Sequence, residues 1–137
     1  MKDINNPLTK AYYDAISALG YPTFEGVEPD DLLDKMYIVI SNVTASDVST
    51  KSSNDHQAQI QVTVNSWEYK YNNRKQLNTV CGEIIEAVKP TPQNTLTATG
   101  INIISTTLAN DNETDYGVLA GRAYVSRNLI FSHLISY

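Results

Sequence analysis

The sequence has few of the residues on which metal, redox and covalent chemistry depend. Its 137 residues include one cysteine, Cys81, and two histidines, His56 and His133. A lone cysteine allows no disulfide within the chain and no paired Cys/His spacing for zinc. A Gly-rich phosphate loop and a nucleophile elbow are also missing. We therefore predict no enzyme, no cofactor and no metal, and we expect Cys81 to be buried and both histidines to be packed or solvated.

Basic residues are also scarce, and no long apolar run is present. The 10 Lys and Arg residues are outnumbered by 15 Asp and Glu residues, which gives a formal net charge of −5. This balance argues against non-specific nucleic-acid binding through the whole surface. No apolar stretch approaches the roughly 20 residues that cross a bilayer, and the amino terminus lacks a signal-peptide core. We predict one domain over residues 1–137. We expect it to be assembled inside a cell and to have no membrane as a partner.

The clearest pattern is a strand that leads into a helix. Apolar and polar residues alternate over residues 57–65, which is typical of a strand with one buried face. Residues 77–88 then carry an apolar stripe at helical spacing, and Asn73 is a suitable N-cap. An earlier helix is predicted from Asn6 to just before Gly20, because glycine commonly follows a helix end.

The other strands follow from composition and alternation. Residues 21–24 predict an edge strand, and the β-branched run 37–43 predicts a central one. Two more strands are predicted over residues 101–109 and 118–137, joined by a polar tip. Arg127 and His133 interrupt the apolar parity of the last strand, which predicts a bulge or a frayed end. The whole order predicts an α+β two-layer sandwich, with a mostly antiparallel sheet of four to five strands and two helices on one face.

Three polar segments are predicted to make contacts with partners or neighbouring subunits. They are a Ser/Thr-rich hairpin arm over residues 44–55, an acidic segment over residues 25–34 and the tip over residues 111–115. Long irregular loops often carry function. The tip resembles the start of a calcium loop, but its glycine and closing residue do not fit, so calcium binding is rejected. The candidate contact residues are Thr44, Ser46, Asp47, Ser49, Lys51, Asn54, Asp55, Glu28, Asp30, Asp31, Asp111, Glu113 and Asp115.

Two alternative sites remain open at this stage. Aromatic residues interleaved with cations can stack and hold single-stranded nucleic acid. Such a set follows the alternating strand, and sealing of one end of the core is the favoured interpretation of its aromatic residues: Trp67, Tyr69, Tyr71, Lys70, Arg74 and Lys75. The weaker alternative is a metal-dependent enzyme that uses the carboxylates of Asp30, Asp31 and Asp34.

The order of elements resembles the tail-completion proteins of tailed bacteriophages, a family that includes tail terminators and head–tail joining proteins. The resemblance is carried by three features. These are the segment Tyr-Pro-Thr-Phe-Glu-Gly-Val-Glu-Pro-Asp-Asp (residues 21–31) before the strand 37–43, the Tyr-Asn-Asn-Arg-Lys sequence (residues 71–75) at the second helix, and the closing hairpin (residues 101–137). The chain differs from the family in its long Ser/Thr-rich arm and long final strand.

The resemblance implies a structural virion protein, either a tail terminator or a subunit of the head–tail neck connector. It implies a homo-oligomer that forms a hexameric ring. Its partners would be tail-tube proteins or neck and portal-adaptor proteins, and genome DNA would pass through the lumen without specific binding. The implied location is the virion, at the tail or the neck, after assembly in the host cytoplasm.

Overall fold

The computed structural model describes residues 5–26, 36–47, 55–67, 71–88, 96, 100–119 and 122–136. Two helices and five strands follow one another along the chain in the predicted order. They are α1 (Asn5–Ser17), β1 (Thr23–Glu25), β2 (Tyr37–Asp47), β3 (Asp55–Trp67), α2 (Tyr71–Val88), β4 (Asn102–Leu119) and β5 (Arg122–Ser136).

The strands form one sheet in the order β1-β2-β3-β5-β4. The short β1 pairs with β2 in parallel, whereas β2 with β3, β3 with β5, and β5 with β4 all pair antiparallel. The predicted α+β class and the mostly antiparallel sheet are therefore confirmed. This order places β4 at one edge of the sheet. At the other edge, the short β1 covers only part of β2.

Both helices cover the same face of the sheet. α1 packs against β1 and β2, α2 packs against β3 and β5, and the two helices touch each other. Their apolar stripes meet the alternating apolar residues of the strands, because side chains at every second strand position share a face. The largest fully buried side chains of this core are Tyr12, Phe131, Leu8, Ile16, Ile38, Ile40, Ile60, Leu77, Ile84, Leu129 and Ile135.

The end of α1 follows from one glycine. The amide of Leu19 donates to the carbonyl of Ile16 at 3.0 Å, and the amide of Gly20 donates to the carbonyl of Ser17 at 3.0 Å. Gly20 then adopts a φ of 92°, a left-handed conformation that L residues rarely adopt. The chain turns there into β1, as predicted from the sequence.

The polar tip predicted over residues 111–115 is wrong, because β4 continues through it to Leu119. Asp111 lies opposite Leu129 in the β4–β5 ladder, and Glu113 lies opposite Arg127. The hairpin therefore reverses between Leu119 and Arg122. An edge strand exposes much of its surface, so polar side chains on β4 can remain in water without a desolvation cost.

The bulge predicted from Arg127 and His133 is also wrong for β5. The β3–β5 ladder runs without interruption from Asp55 opposite Ser136 to Trp67 opposite Tyr124. Register shifts occur instead in other strands, at one place in β2 and at three in β4. Arg127 and His133 occupy helix-facing positions of β5 without a bulge because side chains from other elements form hydrogen bonds with each of them.

Two element boundaries also differ from the prediction. α2 begins at Tyr71, so Asn73 lies within the first turn of the helix rather than before it. β2 extends to Asp47 and β3 begins at Asp55, so both ends of the predicted arm are strand. The rest of that arm, residues 48–54, lies outside the described residues.

Candidate functional site

The sheet presents two strand edges that no other described strand covers. β1 pairs only with Ile38, Val39 and Ile40, so the outer side of β2 over residues 44–46 faces no strand of the described chain. β4 pairs with β5 on one side and is last in the sheet order on the other. Such edges carry rows of backbone donors and acceptors that can pair with another chain.

The two open edges lie at the same height in the sheet. The successive ladders connect three residues at the β2 edge with three at the β4 edge through pairs in β3 and β5. The rows are Thr44–Gln59–Ser132–Thr107, Ala45–Ala58–His133–Thr106 and Ser46–Gln57–Leu134–Ser105.

A groove lies at the β2 edge. It has a volume of about 280 Å³ and is lined by Thr44, Ala45, Ser46, Gln57 and Gln59. All five residues are uncharged, and all five are exposed. The groove therefore offers hydroxyl and amide groups for hydrogen bonding without a charge that would need a counterion.

Uncharged polar side chains continue along the face opposite the helices. The Gln61 Nε2 group donates to Asn128 Oδ1 at 3.2 Å, and the Thr63 hydroxyl donates to the same oxygen at 2.7 Å. These bonds join β3 to β5 through side chains as well as through the backbone. This part of the face is thus polar but uncharged.

Arg127 joins three elements on the helix-facing side of the sheet. Its Nε donates to Asp111 Oδ1 at 2.6 Å, and its Nη2 donates to Asp111 Oδ2 at 2.5 Å. Its Nη1 also donates to Asn78 Oδ1 on α2 at 2.9 Å. The two-pronged geometry is the strong form of an Arg–carboxylate pair, and it fixes the edge strand β4 to β5 and α2.

Replacing Arg127 with methionine is expected to lower the free energy of unfolding by about 1 to 2 kcal/mol. The paired side chains are 21% and 28% exposed, so water screens part of the attraction. Urea unfolding of the purified variant measures the change. Lys10→Met is the matched control, because the Lys10–Asp14 pair is 74% and 62% exposed and should contribute almost nothing. Equal effects of the two substitutions would contradict a structural role for the Arg127 cluster.

A second polar cluster is fully enclosed between α1 and the sheet. The Tyr12 hydroxyl and His133 Nε2 form a short hydrogen bond, and the Thr106 hydroxyl lies 2.9 Å from His133 Nδ1. The rings of Tyr12 and His133 meet edge to face with centroids 5.4 Å apart. Burial lowers the pKa of His133 to about 4 and raises the pKa of Tyr12 above its usual range, so both side chains are neutral at physiological pH.

The other histidine and the cysteine have structural positions. His56 is fully buried at the start of β3, and its Nδ1 lies 4.0 Å from Asp47 Oδ1. Cys81 is buried within the apolar stripe of α2, as predicted. Buried thiols in apolar surroundings are poor nucleophiles, so Cys81 contributes packing.

The predicted contact residues divide into exposed strand positions and positions outside the described part. Thr44, Ser46 and Asp47 are exposed on β2, Asp55 is half-buried at the start of β3, and Asp111 is exposed on β4. Glu113 and Asp115 lie in β4, but their side chains are not among those that the structure describes. Outside the described residues altogether are Ser49, Lys51, Asn54, Glu28, Asp30 and Asp31, together with Asp34 of the proposed carboxylate site.

The aromatic and basic residues proposed to hold single-stranded nucleic acid do not lie on one continuous strand. β3 ends at Trp67 and α2 begins at Tyr71, so these two residues belong to different elements and do not share one strand face. Tyr69 and Lys70 lie outside the described residues, whereas Lys75 is exposed on α2. Within the described ranges, no group of three or more His, Cys, Asp or Glu side chains is placed to hold a metal. Neither described helix is long and apolar enough to cross a membrane.

Comparison with known proteins shows a similarity in fold. No family model matches the sequence, and no curated protein matches it. A chain from the virion of a native gene transfer agent particle is similar in fold, with a TM-score of 0.76 and 13% sequence identity. The similarity covers 100% of this chain and 100% of that chain. The two chains therefore share a fold over their full length.

Proposed function

We propose that the protein is a structural component of a phage-like virion and acts through protein–protein contacts rather than catalysis. The observation that carries this proposal is the similarity in fold, over the full length of both chains, to a chain of the virion of a gene transfer agent particle. The open edges of the sheet support it, because residues 44–46 of β2 and residues 102–110 of β4 are uncharged and a structural subunit needs surfaces that pair with neighbours.

Within that class, we propose a ring-forming tail terminator or head–tail connector subunit. The bacteriophage tail-completion resemblance points to this role, to a hexameric ring and to tail-tube or neck proteins as partners. Each subunit would reside at the tail or the neck of the virion. Head-to-tail contacts repeated around an axis form a closed ring when the rotation closes.

The direction of the strands is suited to such repetition. β2, β3, β5 and β4 alternate in direction across the sheet, so β4 runs antiparallel to β2. A neighbour related by rotation alone would place its β2 beside β4 with the alternation preserved. Antiparallel pairing could then continue from one subunit to the next without inverting a subunit.

The charge of the chain is compatible with a ring through which DNA passes. With a net charge of −5, the chain has few Lys and Arg side chains to neutralise DNA phosphates. Each cation that binds a phosphate releases a counterion and strengthens binding at physiological salt. A lumen with few such contacts would let DNA pass without holding it.

We expect the purified protein to form one closed oligomer whose population rises with concentration. Native mass spectrometry over a concentration series gives the subunit number directly, and mass photometry gives the population at low concentration. The expected result is a discrete species with no ladder of larger sizes, because a ring has no free ends.

A chain that stays monomeric at every concentration, and that also fails to join purified tail tubes or neck components, would contradict the proposal. An open-ended series of oligomers would contradict ring closure, although it would leave head-to-tail association in place.

A further inference from the structure

We infer that residues 105–107 of β4 in one copy pair with residues 44–46 of β2 in the next copy, so that the sheet continues from subunit to subunit. This inference rests on the proposed ring and names its contact. In the register given by the shared rows, Thr107 lies opposite Thr44, Thr106 opposite Ala45, and Ser105 opposite Ser46.

The first support is the composition of the β4 edge. Residues 101–110 contain no charged residue and no proline, in a chain that is 18% charged. Edges that remain open in solution commonly carry lysine or proline, which prevent pairing with other chains. The β4 edge lacks both over this stretch, which is the composition of a strand that is covered in the assembled state.

The second support is a match in the length of the two edges. Register shifts between Ile103 and Ser105 and between Leu108 and Asn110 leave residues 105–108 as a regular tract of β4. The uncovered tract of β2 is similarly short, because a register shift lies between Ser41 and Thr44. Bulges at both ends of the β4 tract and at one end of the β2 tract restrict pairing to a few residues and thereby limit the number of possible registers.

The third support is an apolar side chain beside this tract. Ile104 is 51% exposed and lies in the irregular step between Ile103 and Ser105. In the shared rows, this step is level with Ser46 and Asp47 of β2. The register therefore brings Ile104 near the end of the neighbour's groove, where contact would remove apolar surface from water.

A second copy is favoured over an unrelated chain because the two edges of one subunit match each other. They run antiparallel, lie in the same rows of the sheet, have similar lengths and are both uncharged over the paired residues. Two copies could instead pair β4 with β4 about a two-fold axis, which is also antiparallel. That arrangement would leave the β2 edge and its groove uncovered. The experiment below distinguishes these cases.

The test places charges at one cross-edge pair. T44K/T107K puts like charges opposite each other, whereas T44K/T107E puts opposite charges at the same positions. Each such pair changes an antiparallel contact by roughly 1 kcal/mol, and the effect repeats at every interface of the ring. We therefore expect the concentration at which half of the chains are assembled to rise about fivefold for T44K/T107K. For T44K/T107E it should stay at or below the wild-type value.

Gln76→Lys is the matched control, because Gln76 is exposed on α2, away from both edges. It should assemble like the wild type, and far-ultraviolet circular dichroism should show that all variants are folded. Thr44 and Thr107 are both exposed in the isolated subunit, so neither change should disturb the core.

Cysteine cross-linking measures the register independently. Ser46 and Ser105 share a row, so oxidised S46C/S105C should give covalent oligomers up to the size of the ring. S105C alone should give only monomers, and covalent dimers of S105C would overturn the inference in favour of two-fold pairing. Normal assembly of T44K/T107K would also overturn it while leaving the proposed ring intact, whereas a wild-type chain that never assembles would contradict both.

Discussion

Lowering the pH from neutral to about pH 4 is expected to reduce the free energy of unfolding by about 3 kcal/mol through His133 alone. His133 is enclosed by Tyr12 and Thr106, and its exposed fraction is 1%. Burial lowers its pKa from the usual 6.5 to about 4, since a charged imidazole there would lose its hydration.

The direction of this effect follows from proton binding. Between about pH 6.5 and pH 4 the unfolded chain binds a proton at His133, whereas the folded chain does not. The stabilisation that comes from keeping His133 neutral is fully present above about pH 6.5 and decreases as the pH falls. Below about pH 4 it is lost, and a further fall in pH no longer changes the free energy of unfolding through His133. Acid therefore weakens the contact that joins α1 to β4 and β5.

Urea unfolding at several pH values, compared between the wild type and His133→Asn, isolates this contribution. Carboxylates titrate in both proteins, so the difference between the two curves reports on residue 133. The difference should become smaller by about 3 kcal/mol as the pH falls to about 4. Tyr12→Phe keeps the buried imidazole and should retain the pH dependence. Parallel curves for the wild type and His133→Asn would show that His133 is not held neutral by the fold.

Replacing Phe131 with alanine is expected to lower the free energy of unfolding by about 3 to 5 kcal/mol. Phe131 is fully buried on the helix-facing side of β5, between Ile60 of β3 and Leu108 of β4 in the ladders. Its ring also meets that of Tyr12 with centroids 5.8 Å apart. Truncation would leave a cavity that the surrounding strands and α1 cannot fill without distortion.

Ile130→Ala provides the matched control on the other face of the same strand. Ile130 is adjacent in sequence but only half-buried, so its truncation should cost about 1 kcal/mol or less. Denaturant midpoints at constant slope give both values. Equal losses at the two positions would contradict the assignment of the core to the helix-covered face.

The regular elements could be predicted because their patterns are local. The alternation of β3 and the apolar stripe of α2 each depend on residues a few positions apart, and both elements lie where predicted apart from their ends. The order of helices and strands followed, and with it the fold class. Cys81 could be assigned to packing for the same reason, since the stripe itself identifies the buried side of α2.

The ends of the strands could not be predicted because they depend on position in the sheet. A polar stretch such as residues 110–115 resembles a loop unless its place in an edge strand is known. That place is fixed by the strand order, in which β5 lies between β3 and β4. The outer strand can therefore be long and polar while the inner one is apolar on its covered face.

The polar residues of β5 could not be interpreted because their partners are distant in sequence. Tyr12 lies 121 positions from His133, and Asn78 lies 49 positions from Arg127. Sequence periodicity identified both residues as exceptions on an apolar face but could not supply the bonds that satisfy them. A polar residue at a buried strand position is a sign of such a distant partner as much as of a bulge.

Hydrogen–deuterium exchange of dilute and concentrated wild-type protein tests edge-to-edge assembly most directly. The outward amides of an uncovered edge exchange rapidly, and pairing with another strand protects them. Head-to-tail association predicts that protection increases on concentration at residues 44–46 and residues 105–107 together, with little change in α1 and α2. Increased protection confined to the helices, or to β4 without β2, would contradict a sheet that continues from one subunit to the next.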